Sequence, residues 1–139
     1  MVANVEQKRD AFWKLHESGC FVIPNPWDVG SARLLASMGF KALASTSSGY
    51  AWSTGRQDNH VTCDGVLAHL RIINDATDLP LNADFEGGFA DDPAGVAANV
   101  TRGIATGVAA LSIEDSTGKA DAPLYDSAQA IERIRAARQ

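Results

Sequence analysis

Asp84 and Glu86 stand two residues apart where an apolar run ends, and a glycine pair follows them, in Leu81-Asn82-Ala83-Asp84-Phe85-Glu86-Gly87-Gly88-Phe89. In a strand, residues i and i+2 share a face, so both carboxylates are expected to leave the strand end on the same side. Like charges held that close repel, and one takes up a proton unless a cation lies between them. Mg²⁺, which prefers carboxylate and water oxygens, would resolve the repulsion. Taken alone, the same residues also fit a solvated acidic loop without a ligand.

Other polar groups fall at comparable places. Glu114-Asp115-Ser116 ends a second apolar run, Val108 to Ile113. Thr46-Ser47-Ser48-Gly49 follows a third, Phe40 to Ser45, and reads as a small-residue loop whose hydroxyls and N–H groups could hold an oxyanion. Asn25 lies in Pro24-Asn25-Pro26 after a short run, Cys20 to Ile23. The connection Tyr50 to Val61 carries Trp52, Arg56, Asp58 and His60, a mixture suited to a substrate-facing loop.

The elements that must position these groups alternate. A helix is expected over about residues 4–18, with Val5, Phe12, Trp13 and Leu15 on its apolar side. Four strand–helix units follow. Their strands are Cys20 to Ile23, Phe40 to Ser45, Leu79 to Glu86 and Val108 to Ile113. The helices open at Asp28, Thr62, Asp92-Pro93 and Asp126, each a capping residue. Ala32, Leu35 and Ala36 face inward from the first of these helices, and Val66, Leu67, Leu70 and Ile73 from the second. Val96, Val100 and Ile104 do so from the third, and Ile131, Ile134 and Ala137 from the last. Such alternation implies an α/β fold with a parallel sheet and right-handed crossovers. Ligands then bind at the carboxyl ends of the strands, where the Asn, the hydroxyl loop and both acidic pairs fall.

Composition sets limits on partners. The 139 residues suit one domain; 45% are apolar and 21% charged. A net charge of −5 with no basic run argues against nucleic acid or an anionic membrane. Cys20 and Cys63 belong to no paired motif and read as thiols in a reducing compartment. No leader or long apolar span is read, which makes the cytoplasm the expected location.

In order along the chain, Asn25-Pro26-Trp27-Asp28, Ser31-Ala32-Arg33, Thr46-Ser47-Ser48, Asp58, Ala83-Asp84-Phe85-Glu86-Gly87-Gly88-Phe89 and Ile113-Glu114-Asp115-Ser116 resemble the isocitrate lyase/phosphoenolpyruvate mutase family. The resemblance covers roughly residues 10 to 138. It implies a (β/α)₈ TIM-type barrel and Mg²⁺. It also implies making or breaking C–C or P–C bonds in small 2-oxo or 2-hydroxy carboxylates through an enolate-like intermediate. By position, Asp84 resembles the direct Mg²⁺ ligand, and Glu86, Asp58 and Glu114 the carboxylates that hold the metal's waters. Thr46, Ser47 and Ser48 resemble the loop that binds the substrate carboxylate; Asp58 and Trp27 are further substrate-side candidates. The resemblance points to no catalytic acid or base in this chain.

Two departures stand beside the resemblance. Lyases of the family carry a Cys-Gly-His loop after the Glu-Asp strand; here Thr117 to Tyr125 contains neither Cys nor His. A whole barrel also needs about 250 residues. The expectation is therefore a single partial barrel over residues 1–139, truncated to about four β/α units plus the leading helix. It would be a fragment, a half completed by a second copy in a homo-oligomer, or an open sheet. A catalytically incomplete half that binds metal or assembles without turnover is the alternative to an active lyase or mutase.

Overall fold

A computed structural model describes residues 3–139; Met1 and Val2, the start of the expected 1–139 domain, lie outside the described residues. The architecture is α/β, with a parallel sheet in the order β1-β2-β3. In chain order the elements are α1 (Val5–Leu15), α2 (Val29–Ser37), β1 (Leu43–Ala44), α3 (Ser47–Ser53), α4 (Cys63–Asp75), β2 (Leu81–Asp84), α5 (Pro93–Ile104), β3 (Ala110–Ser112) and α6 (Ser127–Ala137). Register places Leu43 beside Leu81, Ala83 beside Leu111 and Asp84 beside Ser112. The acidic end of β2 is thereby flanked on both sides by strand ends.

The helix starts follow local chemistry. Asp28, Thr62, Asp92 and Asp126 each accept a backbone N–H from the first turn they precede, which satisfies a donor the helix cannot use. At the other end of α5 the chain turns through Gly107, whose φ of 90° suits a residue without Cβ. A Cβ there would sit 2.8 Å from Asn74 Nδ2.

Two expected elements differ. Cys20 to Ile23 is not a strand; among the described residues the stretch that follows it meets β1 through one backbone bond, Ala44 N–H to Pro24 O at 3.0 Å, and the Asn25 side chain. The prolines at 24 and 26 lack N–H groups and stop a ladder from extending. Among the described residues the sheet therefore has three strands rather than the expected four. The hydroxyl stretch is also not a loop. Thr46 caps α3, and its Oγ1 accepts the Gly49 N–H at 3.2 Å.

The core lies between the sheet and α4 and α5, and centres on Leu43, Leu70, Ile73, Leu81, Phe85 and Val96, all essentially inaccessible. The expected inner face of α4 is buried in full. Three apolar faces are not as expected. Trp13 is 74% exposed; α1 buries Phe12, as expected, and beside it the stem of Lys8, whose Nζ donates to Asn74 O at 2.6 Å and Thr77 O at 2.8 Å. Ile104 is exposed on α5. On α6 both Ile131 and Ile134 are exposed, and the buried residue is Arg133. Periodicity identified these helices but misjudged which stripe meets a neighbour, because a long cationic side chain can bury its stem while its head finds carbonyls.

Candidate metal and carboxylate site

The site is assembled at the carboxyl end of β2. Asp84 is anchored on three sides. Its backbone N–H donates to Ser45 Oγ at 2.9 Å, its Oδ2 accepts the Ser47 N–H at 2.7 Å, and its Oδ1 accepts the Glu86 N–H at 3.4 Å. The Ser47 amide belongs to the first turn of α3, so Asp84 lies at the positive end of that short helix.

Strand alternation ends at Asp84. Glu86 has a φ of 46°, the left-handed region, and the chain turns there instead of continuing the pleat. Gly88 at φ 74° and Phe89 at φ 57° continue the turn, and a Cβ on Gly88 would press on Val96 at 3.2 Å. Glu86 is nevertheless brought to the acidic group, by this turn rather than by the expected period of two. It is buried, and its Oε1 has no hydrogen-bond partner. Burial raises its pKa to about 7, and the neighbouring charges of Asp58, Asp84 and Glu114 push in the same direction. Glu114 is likewise raised, by burial and then by Asp84, Asp58 and Asp115. The Glu114 N–H donates to Glu86 O at 2.9 Å, which ties the two acidic strand ends together. Asp58, on the exposed loop before α4, is the fourth carboxylate of the group.

Asp84, Glu86, Glu114 and Asp58 offer only hard oxygen donors, and Glu86 presents a buried oxygen without a partner. This donor set fits a Mg²⁺-type cation held by few protein oxygens and several waters. Among the described residues no three His, Cys, Asp or Glu side chains close into a compact ligand cage.

The hydroxyl residues sit beside this group. Thr46 Oγ1 and Ser48 Oγ lie 3.3 Å apart, and both line an open cleft of about 560 Å³ with Asn25, Trp27, Gly49, Trp52 and Ser53. Trp27 is half exposed there. The Ser47 N–H is not free for a substrate oxyanion, because Asp84 already occupies it. Asn25 stands on this rim as expected, and its amide also fastens the chain to Ala44 O at 3.2 Å. His60 bonds through Nδ1 to Asp58 O within its own loop. His69 stacks on Tyr50 with ring centroids 4.0 Å apart, and burial lowers its pKa.

Some residues that hold the site carried no motif signal. Ser45 orients Asp84. Asn99 on α5 donates to Gly88 O and Phe89 O. Arg133 donates to Gly87 O, Ala90 O and Asp91 O. Asp91 accepts the Tyr125 hydroxyl at 2.5 Å and pairs with Lys119 at 3.4 Å. The one available hint was an arginine one residue from the apolar Ile134 in the last helix.

The phosphoenolpyruvate phosphomutase family model matches residues 12–139. The chain belongs to that family. Its fold agrees: a 2,3-dimethylmalate lyase described as a PEP mutase/isocitrate lyase superfamily member superposes with a TM-score of 0.83 at 33% identity, covering 100% of this chain and 49% of that one. A protein of Burkholderia cenocepacia J2315, solved as a candidate lyase/mutase, superposes with a TM-score of 0.93 at 47% identity, covering 96% of this chain and 48% of that one. The 2-methylisocitrate lyase of Escherichia coli is 33% identical over 114 residues, 76% of this chain and 38% of the enzyme. The phosphomutase-family chain thus spans half or less of the length of these relatives. Among its described residues no helix is long and apolar enough to cross a membrane.

Proposed function

We propose that this phosphomutase-family chain carries the metal side of a lyase or mutase site acting on a small 2-oxo or 2-hydroxy carboxylate through an enolate-like intermediate. The observation that carries the reading is Glu86, buried with one oxygen unpartnered and crowded by Asp84 and Glu114 from parallel strand ends and by Asp58 from the loop before α4. In this reading Asp84 holds Mg²⁺ directly, and Glu86, Glu114 and Asp58 hold its waters. Bound there, the cation would draw negative charge from a carbonyl or enolate oxygen. Thr46 and Ser48 donate their hydroxyls to the substrate carboxylate, and Trp27 walls the cleft. Ser47 contributes by holding Asp84 rather than by meeting substrate. No acid or base for the bond-breaking step is assigned, and Thr117 to Tyr125 offers neither Cys nor His for one.

Titration calorimetry with Mg²⁺ on the native chain and Asp84→Ala tests the metal. Saturable binding lost in the variant is expected; equal heats in both would remove the reading. Incubation with a panel of 2-oxo and 2-hydroxy diacids plus Mg²⁺, followed for release of pyruvate, oxalate or glyoxylate, tests the chemistry.

A second reading is favoured by the lack of Cys and His in Thr117 to Tyr125, which leaves the metal-side carboxylates without an acid from that segment. Here the chain binds metal, or assembles with a second copy, without turnover. Mg²⁺ binding with no product from the panel, together with a dimer by light scattering, would support it over the first.

A further inference from the structure

We infer that Arg133, on the last helix, is a positioning residue that clamps the turn carrying Glu86 and so holds that carboxylate in the acidic group. The inference rests on the metal reading above for its consequence, and on geometry for the clamp.

The turn needs an external hold. Glu86 and Phe89 are non-glycine residues in the left-handed region, a conformation that persists only where the surroundings over-determine it. Here every carbonyl from residue 86 to residue 91 has a partner from outside the turn. Glu86 O accepts from Glu114 N. Gly88 O and Phe89 O accept from Asn99 Nδ2 at 3.1 and 3.2 Å. Gly87 O accepts from Arg133 Nη2, and Ala90 O and Asp91 O accept from Arg133 Nη1 at 2.6 and 3.0 Å. One guanidinium thus serves three of the six carbonyls. Among the described residues the Arg133 side chain pairs with no carboxylate of the site, and its charge is directed at backbone dipoles.

Arg133 is itself held. It is 1% exposed, and its guanidinium carbon lies 3.8 Å from the centroid of the Tyr125 ring. The Tyr125 hydroxyl in turn donates to Asp91 at the end of the turn. A lysine cannot reproduce this hold, because a single ammonium lacks the planar fork that reaches separate acceptors.

The test compares the native chain with Arg133→Lys and Arg133→Met by amide hydrogen exchange without metal, and by titration with Mn²⁺ as the probe cation. The Gly88 N–H, bonded to Phe85 O at 2.8 Å, and the Glu114 N–H report on the turn; the amides of α4 and β2 report on the core. The expected result is faster exchange confined to residues 86–91 and Glu114 in Arg133→Lys, with Mn²⁺ binding weakened by about tenfold. Arg133→Met should go further in the same direction. Unchanged exchange in the turn of Arg133→Lys, or protection lost evenly across the chain, overturns the inference. A native chain that binds no Mn²⁺ while Arg133→Lys still loosens the turn supports the clamp and removes the metal reading instead.

Discussion

The backbone N–H of Ser47 donates to Asp84 Oδ2 at 2.7 Å, joining the end of β2 to the first turn of α3. This bond orients the carboxylate proposed above as the direct metal ligand. It also removes Ser47 from the donors available to a substrate. A hydrogen bond to a charged group contributes about 1.5–3 kcal/mol. Asp84→Ala is therefore expected to lower stability by that order in urea unfolding without metal. Asp84→Asn, which keeps an acceptor oxygen, should lower it less, yet lose Mg²⁺ binding as fully. Equal stability losses in the two variants would contradict the role given to this bond.

The pH dependence follows from Glu86. Its folded pKa of about 7 lies above the ordinary 4.5, so the folded chain holds this proton more tightly than the unfolded chain does. The stability it contributes is fully present below about pH 4.5 and is lost as pH rises through about 7. At about 1.4 kcal/mol per unit, the loss is on the order of 3–4 kcal/mol. Glu114 acts in the same direction. The difference in Tm between native chain and Glu86→Gln, followed from pH 4.5 to 8 without metal, should grow in favour of the variant as pH rises. Mg²⁺ competes with the proton, so its stabilising effect should increase over the same range. A pH-independent difference would show that Glu86 does not titrate there.

Thr46 caps α3 and shares its hydroxyl with Ser48. Thr46→Ala is expected to cost about 1 kcal/mol and Thr46→Ser much less, measured by thermal unfolding. If the hydroxyl also meets the substrate, oxalate or pyruvate should bind more weakly to the Ala variant in the presence of Mg²⁺.

Burial separates two aromatic residues of similar size. Phe85 is fully buried beside Gly103 and Phe89, so Phe85→Ala should cost about 3–5 kcal/mol. Trp13 is 74% exposed, and Trp13→Ala should change stability by no more than about 0.5 kcal/mol. Chemical denaturation of both variants checks the contrast.

Features decided within a few residues were legible before the fold was known. Asp28, Thr62, Asp92 and Asp126 start helices because each side chain reaches an N–H in the turn it precedes. The parallel α/β alternation follows from apolar runs separated by such caps. The acidic strand ends and the family could be recognised because those residues lie in short, ordered motifs.

Other features depend on groups distant in sequence. The Cys20 to Ile23 run has strand-like composition but makes no ladder. Thr46 has the chemistry of a cap and of a substrate donor alike, and only the neighbouring Asp84 shows what its helix is used for. Glu86 joins the acidic group through a left-handed turn, which no strand period describes. Lys8 and Arg133 are charged residues on amphipathic helices. Each is buried because carbonyls 40 or more residues away in the chain lie within reach of its head. A cap is closed by the backbone beside it and is therefore written locally, whereas a buried cation is stable only where the folded chain brings acceptors to it.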